Sequence, residues 1–540
     1  MTRYSLATLA FLKKHRYSLV LLVFLVVFAF FALYNLGFAT IQWDEMPHLY
    51  GGLMLSRGQI TQYLTTYGFY PPLFDIATTG YFQIFGVNAV SGRLVSLTFS
   101  LLAIGVLFAF TKKTYGAKNA LIASILLGTM PGFFSLSRVS MLETMLIFFF
   151  TLVMFAFYTW ISKNSNKALV FSGLALGIGI LAKYQLVVAA IAMLFSIMFL
   201  CRDRLKLRLG KLLLIFVIVA LVVTPWFLIV YQTSGLTNFQ SLAYVIQEGS
   251  PQRPEYSNRF FLPVFYLIEM TWPYNNVATH PVSIQIMILG LCGLALFAYR
   301  RKNPDIFLLT WFAVVYVFFT FVPHREWRYV DPLFTILAIS AAGFIMFLYG
   351  KIRSWKPRPT VLSGSSLKKI GAALFIVLAT SAVVYSSYDV YTMNFQGQFH
   401  VPIDQATSYL VNHLSQNQSA VVVCPSNVFE ADMFRFYLPS NMSSNQIWQY
   451  PQDAVDAYTP NFNITQFVIL CEQHNVKYII LFDYGAHMQF FNSTLDYAQV
   501  TTMIYNTHRF GVPTDQPFFG DFSNNKGYRL FLVRFNQTQT

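Results

Sequence analysis

Two adjacent carboxylates, Asp44 and Glu45, lie in the stretch Trp43-Asp44-Glu45-Met46-Pro47-His48-Leu49-Tyr50, directly after the first long apolar run. Acids this close repel one another, and where the chain leaves an apolar segment they lose part of their hydration. Such a pair either recruits a cation or favours proton uptake by one member, which suits a general base that takes a proton from a hydroxyl. The competing reading is a solvated loop carrying two acids, because loops are usually polar.

Four more stretches hold residues of similar interest: Tyr70-Pro71-Pro72-Leu73-Phe74-Asp75, Ser137-Arg138-Val139-Ser140-Met141-Leu142-Glu143, Ala182-Lys183-Tyr184, and His324-Arg325-Glu326-Trp327-Arg328-Tyr329. Taken singly, Arg93, Arg138 and Lys183 read as cations that anchor helix ends at an interface, and the last stretch as an internally paired aromatic belt. Taken together they read differently. Cations gathered with carboxylates suit a phosphate on a lipid, with Arg or Lys stabilising a departing phosphate while a carboxylate activates an acceptor.

The elements that position these residues follow from composition. Of 540 residues 56% are apolar and only 11% charged, against about 25% charged in soluble proteins. Several apolar runs reach about 20 residues, the length that crosses a bilayer. The chain is therefore expected to be an α-helical polytopic membrane protein. The first run, about Ser18 to Phe38, is too long for a signal-peptide core and lacks a small-residue cleavage site, so it reads as a retained helix. The net charge of +15 is spread in short Lys/Arg blocks between apolar runs, as the positive-inside rule requires. No aromatic-interleaved basic patch points to nucleic acid.

With those blocks cytoplasmic, helices are expected at about 17–39, 92–111, 118–134, 141–161, 168–182, 184–201, 211–232, 281–299, 306–322, 330–350 and 369–389. That makes about 11 transmembrane helices, with the N-terminus cytoplasmic and outer loops at 40–91 and 233–280. Segment 72–87 is too short to span comfortably and reads as a helix lying along the outer interface. Most acids then collect on the outer side with a few isolated cations, among them Arg93, Arg138, Lys183, Arg325 and Arg328.

Past about residue 390 the character changes. Residues 395–540 carry six basic and ten acidic residues and gain Asn, Gln, Ser and Thr. Helical spacing at 404–416 and 465–475 alternates with the apolar runs Ala420–Val423 and Lys477–Phe482, and Tyr528 to Phe535 reads as a late strand. The expectation is a membrane domain over 1–390 and an extracytoplasmic α/β domain over 391–540. Five glycosylation sequons, at Asn417, Asn441, Asn463, Asn492 and Asn536, all fall in this tail, as an extracytoplasmic location requires. Cys424 and Cys471 share it, either paired or as two buried thiols. No metal-ligand spacing, phosphate loop or dinucleotide fingerprint occurs. No cofactor is required, and a divalent metal is allowed but not called for.

Asp44-Glu45 after the first helix, Pro71-Pro72-Leu73, Phe85-Gly86-Val87, Gly92-Arg93-Leu94, and Ser137-Arg138 with Glu143, in that order, resemble the C-type (GT-C) membrane glycosyltransferases. The resemblance is to the branch of dolichyl-phosphate-mannose protein mannosyltransferases, the aminoarabinose transferase of lipid A and the Rhizobium-type lipopolysaccharide galacturonosyl transferases, and covers roughly residues 17–350. His324-Arg325-Glu326-Trp327-Arg328-Tyr329 also resembles a His-Lys-Glu-x-Arg-Phe motif of lipid-linked mannosyltransferases. Two departures stand out. Tyr70 replaces the His or Lys that often precedes Pro-Pro. The Trp-Trp-Asp-Tyr-Gly motif of oligosaccharyltransferases is absent, Trp448-Gln449-Tyr450-Pro451 matching it poorly, which counts against transfer of a whole oligosaccharide to asparagine.

The resemblance implies a polyprenyl (dolichyl-type) phosphate monosaccharide donor and inversion at the anomeric carbon. The acceptor is a hydroxyl on a protein, glycan or glycolipid at the outer membrane face. Asp44 is the expected base, with Glu45 positioning it. Arg93, Arg138, Lys183, Arg325 and Arg328 are the expected donor-phosphate ligands, and His48, Tyr70, Glu143, His324 and Glu326 the expected substrate contacts. The rival reading is a non-catalytic transporter or flippase of lipid-linked sugars, which would use the same cations without needing Asp44 and would place polar residues deep in its spans.

Overall fold

The computed structural model describes residues 3–202, 205–240, 243, 261–272, 280–323, 325–355, 364–396, 400–423, 430–451, 463–483, 502, 510–513, 518–520 and 528–536. The chain divides into two compact units. One comprises 1–34, 57–81 and 92–395; the other comprises 35–56, 82–91 and 396–540.

The first unit is helical throughout. Its long helices are α1 (Arg3–Leu33), α5 (Ala89–Tyr115, whose first turn belongs to the other unit), α6 (Ala117–Thr129), α8 (Glu143–Lys163), α9 (Asn166–Ile180), α10 (Val187–Leu200), α11 (Leu205–Ser234), α13 (Ile284–Arg300), α14 (Asn303–Phe321), α15 (Pro332–Ser354) and α16 (Gly364–Tyr391). Short helices α3 (Ile60–Tyr67), α4 (Leu73–Phe85), α7 (Pro131–Leu136) and α12 (Phe265–Glu269) link them. All eleven segments expected to be apolar helices are helical. Seven are long and apolar enough to cross a membrane: Lys14–Leu33, Ala89–Tyr115, Glu143–Lys163, Leu205–Ser234, Asn303–Phe321, Pro332–Ser354 and Lys368–Gln396. The other four, Ala117–Thr129, Asn166–Ile180, Tyr184–Leu200 and Ile284–Arg300, are shorter. At 1.5 Å per residue a 13-residue helix covers about 20 Å, less than the ~30 Å of hydrocarbon. Seven long helices and four shorter apolar ones thus occupy the eleven expected segments.

Burial sorts these helices into centre and periphery. In the apolar window of α8, 67% of residues are buried, and in α15 61%, but only 11% in those of α11 and α16. A helix apolar all round and buried all round is a core element. α8 meets this with Met145, Phe150, Met154, Phe157 and Trp160 fully enclosed. α13 crosses α15 closely because Gly293 has no side chain, and a Cβ there would fall 2.0 Å from the Ser340 carbonyl oxygen.

The second unit contains α2 (Met46–Ser56), α17 (Ile403–His413), α18 (Ala431–Phe436) and α19 (Ile464–Gln473), with strands β1 (Ser419–Val423), β2 (Ile447–Tyr450), β3 (Val476–Asp483), β4 (Phe510–Pro513), β5 (Phe518–Gly520) and β6 (Tyr528–Phe535). The sheet order is β2-β1-β3-β6-β4, with β5 also on β6. β1 runs parallel to β2 and β3, while β6 is antiparallel to β3. Register places Trp448, Val421, Ile479 and Val533 in one row, and they form one apolar cluster with Phe467 and Cys471 of α19. Cys471 is a buried free thiol, and Cys424 lies outside the described residues. Of the sequons, Asn417, Asn441, Asn463 and Asn536 are exposed, and Asn492 lies outside the described residues.

Segment 40–91 is more structured than a loop with one helix. It holds α2, α3 and α4, with α4 starting directly after Pro71-Pro72, whose rings cannot continue a preceding helix.

Candidate active site

Three of the sequence stretches meet in the helical unit. Glu143 is the first residue of α8, and its Oε1 accepts a hydrogen bond from Lys183 Nζ at 3.0 Å and lies 3.8 Å from Arg328 Nη1. Arg328 also donates from Nε to Glu326 Oε2 at 2.9 Å. Lys183 reaches this point because α9 ends at Ile180 and the chain turns there, the Ala182 and Lys183 amides bonding back to the Gly179 carbonyl. Glu143 belongs there for a second reason, since a carboxylate in a helix's first turn meets the positive end of the dipole.

A residue that the sequence reading passed over completes the group. Asp331, just before Pro332 at the start of α15, is fully buried, and neither carboxylate oxygen has a hydrogen-bond partner. Burial first, opposed by Lys183 and Arg328 and aided by Glu143, holds its carboxyl well above the usual range. Glu143 Oε2 is likewise buried and unbonded. A cluster of cations and acids with three buried, unbonded carboxylate oxygens is one whose hydrogen bonding is unfinished, and native interiors rarely leave that without a reason.

The other cations are placed differently. Arg138 donates from Nη1 to the carbonyls of Phe31, Ala32 and Tyr34 at 3.1, 2.6 and 2.8 Å, at the end of α1, and its guanidinium lies 5.0 Å from the Phe395 ring centre. It closes the carbonyls that a helix C-terminus leaves open. Burial and the nearby Arg93 push it down to about 10, still a cation at neutral pH. Arg93 itself is buried, and Ser96, on the next turn of α5, exchanges hydrogen bonds with the Met141 backbone. Arg325 donates from Nε to the Thr320 carbonyl at 3.0 Å, near the end of α14. Of the five expected phosphate ligands, Lys183 and Arg328 face side-chain carboxylates, while Arg138 and Arg325 bind backbone.

The Tyr70-Pro71-Pro72 turn is joined to the Lys183 loop, because the Leu73 amide donates to the Leu181 carbonyl at 2.9 Å. Beside it Tyr63 donates to buried Asp75 at 2.8 Å, and Trp226 donates to the Tyr184 hydroxyl at 3.1 Å. Tyr70 is half-buried. His324 lies outside the described residues.

The acid pair belongs to the other unit. Trp43–Glu45 forms a single 3-10 turn that runs into α2. Asp44 is exposed, whereas Glu45 is fully buried and its Oε2 accepts from the Gln42 amide at 2.9 Å. His48, one turn on, is buried. The two acids thus differ in setting: Glu45 fixes the turn from within, and Asp44 lies at the surface. The loop is anchored to 400–401 by His400 Nδ1 on the Phe38 carbonyl at 2.6 Å and by Phe38–His400 ring stacking at 4.6 Å.

Residues 70–229 match the profile of the family described as dolichyl-phosphate-mannose-protein mannosyltransferase. The fold matches ArnT of Cupriavidus metallidurans in the apo state with a TM-score of 0.62, at 14% identity, over 96% of this chain and 98% of that one. By fold the chain is similar to the GT-C membrane glycosyltransferases. The same fold recurs in ArnT of that organism bound to undecaprenyl phosphate (TM-score 0.57, 13% identity, 96% and 98% covered). It recurs also in the archaeal oligosaccharyltransferase AglB of Archaeoglobus fulgidus in complex with an inhibitory peptide and a dolichol-phosphate (0.53, 14%, 87% and 69%). In sequence the chain is 22% identical over 326 residues to the undecaprenyl phosphate-alpha-4-amino-4-deoxy-L-arabinose arabinosyl transferase 1 of Proteus mirabilis. That match spans 56% of this chain and 53% of the relative, about half its length. On this fold the Glu143–Lys183–Arg328–Asp331 group and the Asp44 turn are places with chemistry to offer.

Proposed function

We propose that the protein transfers a single sugar from a polyprenyl-phosphate donor to an acceptor hydroxyl, with inversion. The observation that carries this reading is the pair of cations, Lys183 and Arg328, held by carboxylates in a buried cluster on a GT-C scaffold. Named relatives of that fold bind undecaprenyl phosphate or dolichol-phosphate. A donor phosphate arriving between the cations replaces Glu143 and Glu326 as their partner. It gains charge-assisted hydrogen bonds that strengthen as negative charge grows on the leaving group.

In the step itself the acceptor oxygen forms a bond to the anomeric carbon while the bond from that carbon to the phosphate oxygen breaks. The electron pair leaves on the phosphate, where Lys183 and Arg328 receive it. The acceptor proton passes to Asp44, the exposed carboxylate, with Glu45 fixing its turn. Glu143 and the raised carboxyl of Asp331 keep the cluster from being over-charged when no donor is present. The extracytoplasmic location of the second unit, eleven crossings counting the four short helices, and the outer face as the site of transfer are parts of the same proposal. Clustered sequons and the alternation of basic blocks support them.

The test uses purified protein in detergent with synthetic polyprenyl-phosphate monosaccharides and a panel of hydroxyl acceptors. Asp44→Asn keeps the size of the side chain and removes the basic lone pair, so turnover should fall by about two to four orders of magnitude with donor affinity intact. Wild-type turnover in that variant removes Asp44 from the role. Passage of intact lipid-linked sugar across a proteoliposome, with no transfer to any acceptor, overturns the reading in favour of a transporter.

A further inference from the structure

The sheet-bearing unit contains a cavity of about 250 Å³ lined by Glu430, Asp432, Arg435, Trp448 and Gln449. We propose that this cavity binds one pyranose ring of a carbohydrate acceptor, through the Glu430 carboxyl, the Asp432–Arg435 pair and the Gln449 amide. The inference rests on the glycosyl-transfer reading and adds the chemical class of the acceptor.

Its size suits a single ring. At the ~30 Å³ each water takes in the liquid, the space holds about eight waters, comparable with the dozen or so heavy atoms of a hexose and too little for a peptide segment. Its chemistry suits a polyol. Trp448 on β2 borders the space while its indole stays in the apolar cluster, the N–H donating to Ser419 Oγ at 3.2 Å, so the polar groups of the lining carry recognition. Arg435 is held by the Ile447 carbonyl at 2.7 Å and by Asp432 Oδ1 at 2.8 Å, so its guanidinium is preorganised. The Gln449 side-chain oxygen accepts from the Ala431 amide at 3.4 Å.

Glu430 is the group without an assignment. Among the described residues its carboxyl has no hydrogen-bond partner, although it is only partly exposed. Burial and then Asp432, opposed by Arg435, push it up to about 8. At neutral pH it therefore offers both an O–H donor and a carbonyl acceptor, which is what a sugar hydroxyl pair asks for. The lining also has a place in its unit. α18, which bears Asp432 and Arg435, packs against α2, the helix that begins immediately after Asp44 and Glu45.

The experiment uses the full-length protein in detergent and a panel of methyl pyranosides, read by saturation-transfer NMR, beside the donor-consumption assay. The expected result is saturation transfer from at least one pyranoside, reduced about tenfold by Glu430→Ala and by Gln449→Ala. Unfolding temperatures of the Glu430 variant should match the wild type near pH 4, where the carboxyl is protonated folded and unfolded alike, and in the transfer assay acceptor KM should rise with kcat and donor KM held. No signal from any pyranoside, or a signal that survives both variants, overturns the inference even when donor is consumed. Pyranoside binding that depends on Glu430, with no polyprenyl-phosphate sugar consumed, leaves the cavity assigned and fails the glycosyl-transfer reading instead. Should Glu430→Ala not fold, Gln449→Ala alone decides.

Discussion

Among its described residues the helical unit holds one buried ionic group at the start of α14 and another around the turn Trp327–Val330 that follows that helix. At the N-terminal end, Asp305 is fully buried and fully satisfied. It accepts from the Tyr115 hydroxyl at 2.7 Å, from Arg300 Nε at 2.7 Å and from the Lys302 amide at 3.0 Å. At the other end, Glu143 and Asp331 are as deeply buried and leave three oxygens unbonded. The first group is closed and does the work of a helix cap and a crosslink between α5 and α13. The second is open, because three buried carboxylate oxygens keep acceptor capacity that no donor meets. Burial alone does not separate a structural ion cluster from a functional one; completeness of hydrogen bonding does.

The largest expected effect should therefore come at the closed end, as a loss of fold and not of chemistry. Asp305→Ala leaves a buried, partly desolvated Arg300 and an unpaired Tyr115, and should lower unfolding stability by about 3 kcal/mol, measured as a fall in the melting temperature of purified protein. Donor turnover per folded molecule should stay at the wild-type value; a selective loss of turnover would erase the distinction.

Next come the open-end cations. Lys183→Ala or Arg328→Ala should reduce kcat/KM for the donor by roughly tenfold to a hundredfold, the ~1.5–3 kcal/mol of one charge-assisted contact. Melting temperature should fall too, since Glu143 loses a partner, so the donor kinetics are compared per folded molecule. Arg138→Ala, by contrast, frees the end of α1 and should act on stability first. If Arg138→Ala instead changes only donor kinetics, it belongs with Lys183.

Asp331→Asn should have a smaller effect, in pH dependence. A carboxyl whose folded pKa is raised favours folding at pH below its unfolded value, and that contribution is lost as pH rises through the folded value. Wild-type stability should therefore decline from about pH 4 upward through this group, and Asn at 331, which stays neutral, should flatten the decline. Glu430 gives a bounded version in the other unit. With its carboxyl at about 8, and Asp432 and Arg435 the charged groups around it, the loss should run from about pH 4.5 to 8, and Glu430→Gln should remove it in a pH series of melting curves. An unchanged slope in either variant would show that the carboxylate is ionised in the folded protein.

Much of the fold was legible because apolar length is a local signal. The expected helices at 404–416 and 465–475 appear as Ile403–His413 and Ile464–Gln473, and the late strand as Tyr528–Phe535. The early end of α6 at Thr129, where 134 was expected, was not legible, since apolar composition continues through Met130-Pro131-Gly132-Phe133 past the point where the backbone turns. The order β2-β1-β3-β6-β4 depends on pairing between distant segments, which no local pattern encodes. In the site, side-chain partners were easier to anticipate than backbone ones. Lys183, Glu143 and Arg328 stood out as isolated charges near apolar runs. The partners of Arg138 are carbonyls more than a hundred positions away, invisible to any reading by residue type. Asp331 was missed because Asp before Pro reads as an ordinary helix start, and the charged stretch was taken to end at Tyr329.

The bond from the Leu73 amide to the Leu181 carbonyl joins the start of α4 to the end of α9, so that a donor one helix leaves unmatched is met by an acceptor the other leaves over. It also sets the positive end of one peptide dipole against the negative end of the other. One consequence concerns time. The Leu73 amide hydrogen can exchange with solvent deuterium only when this junction parts, and Lys183 is two residues from the carbonyl that holds it. A single slow-exchanging amide in the Pro-Pro turn thus serves as a clock for the Lys183 loop, running slower whenever an occupied phosphate site keeps that loop still.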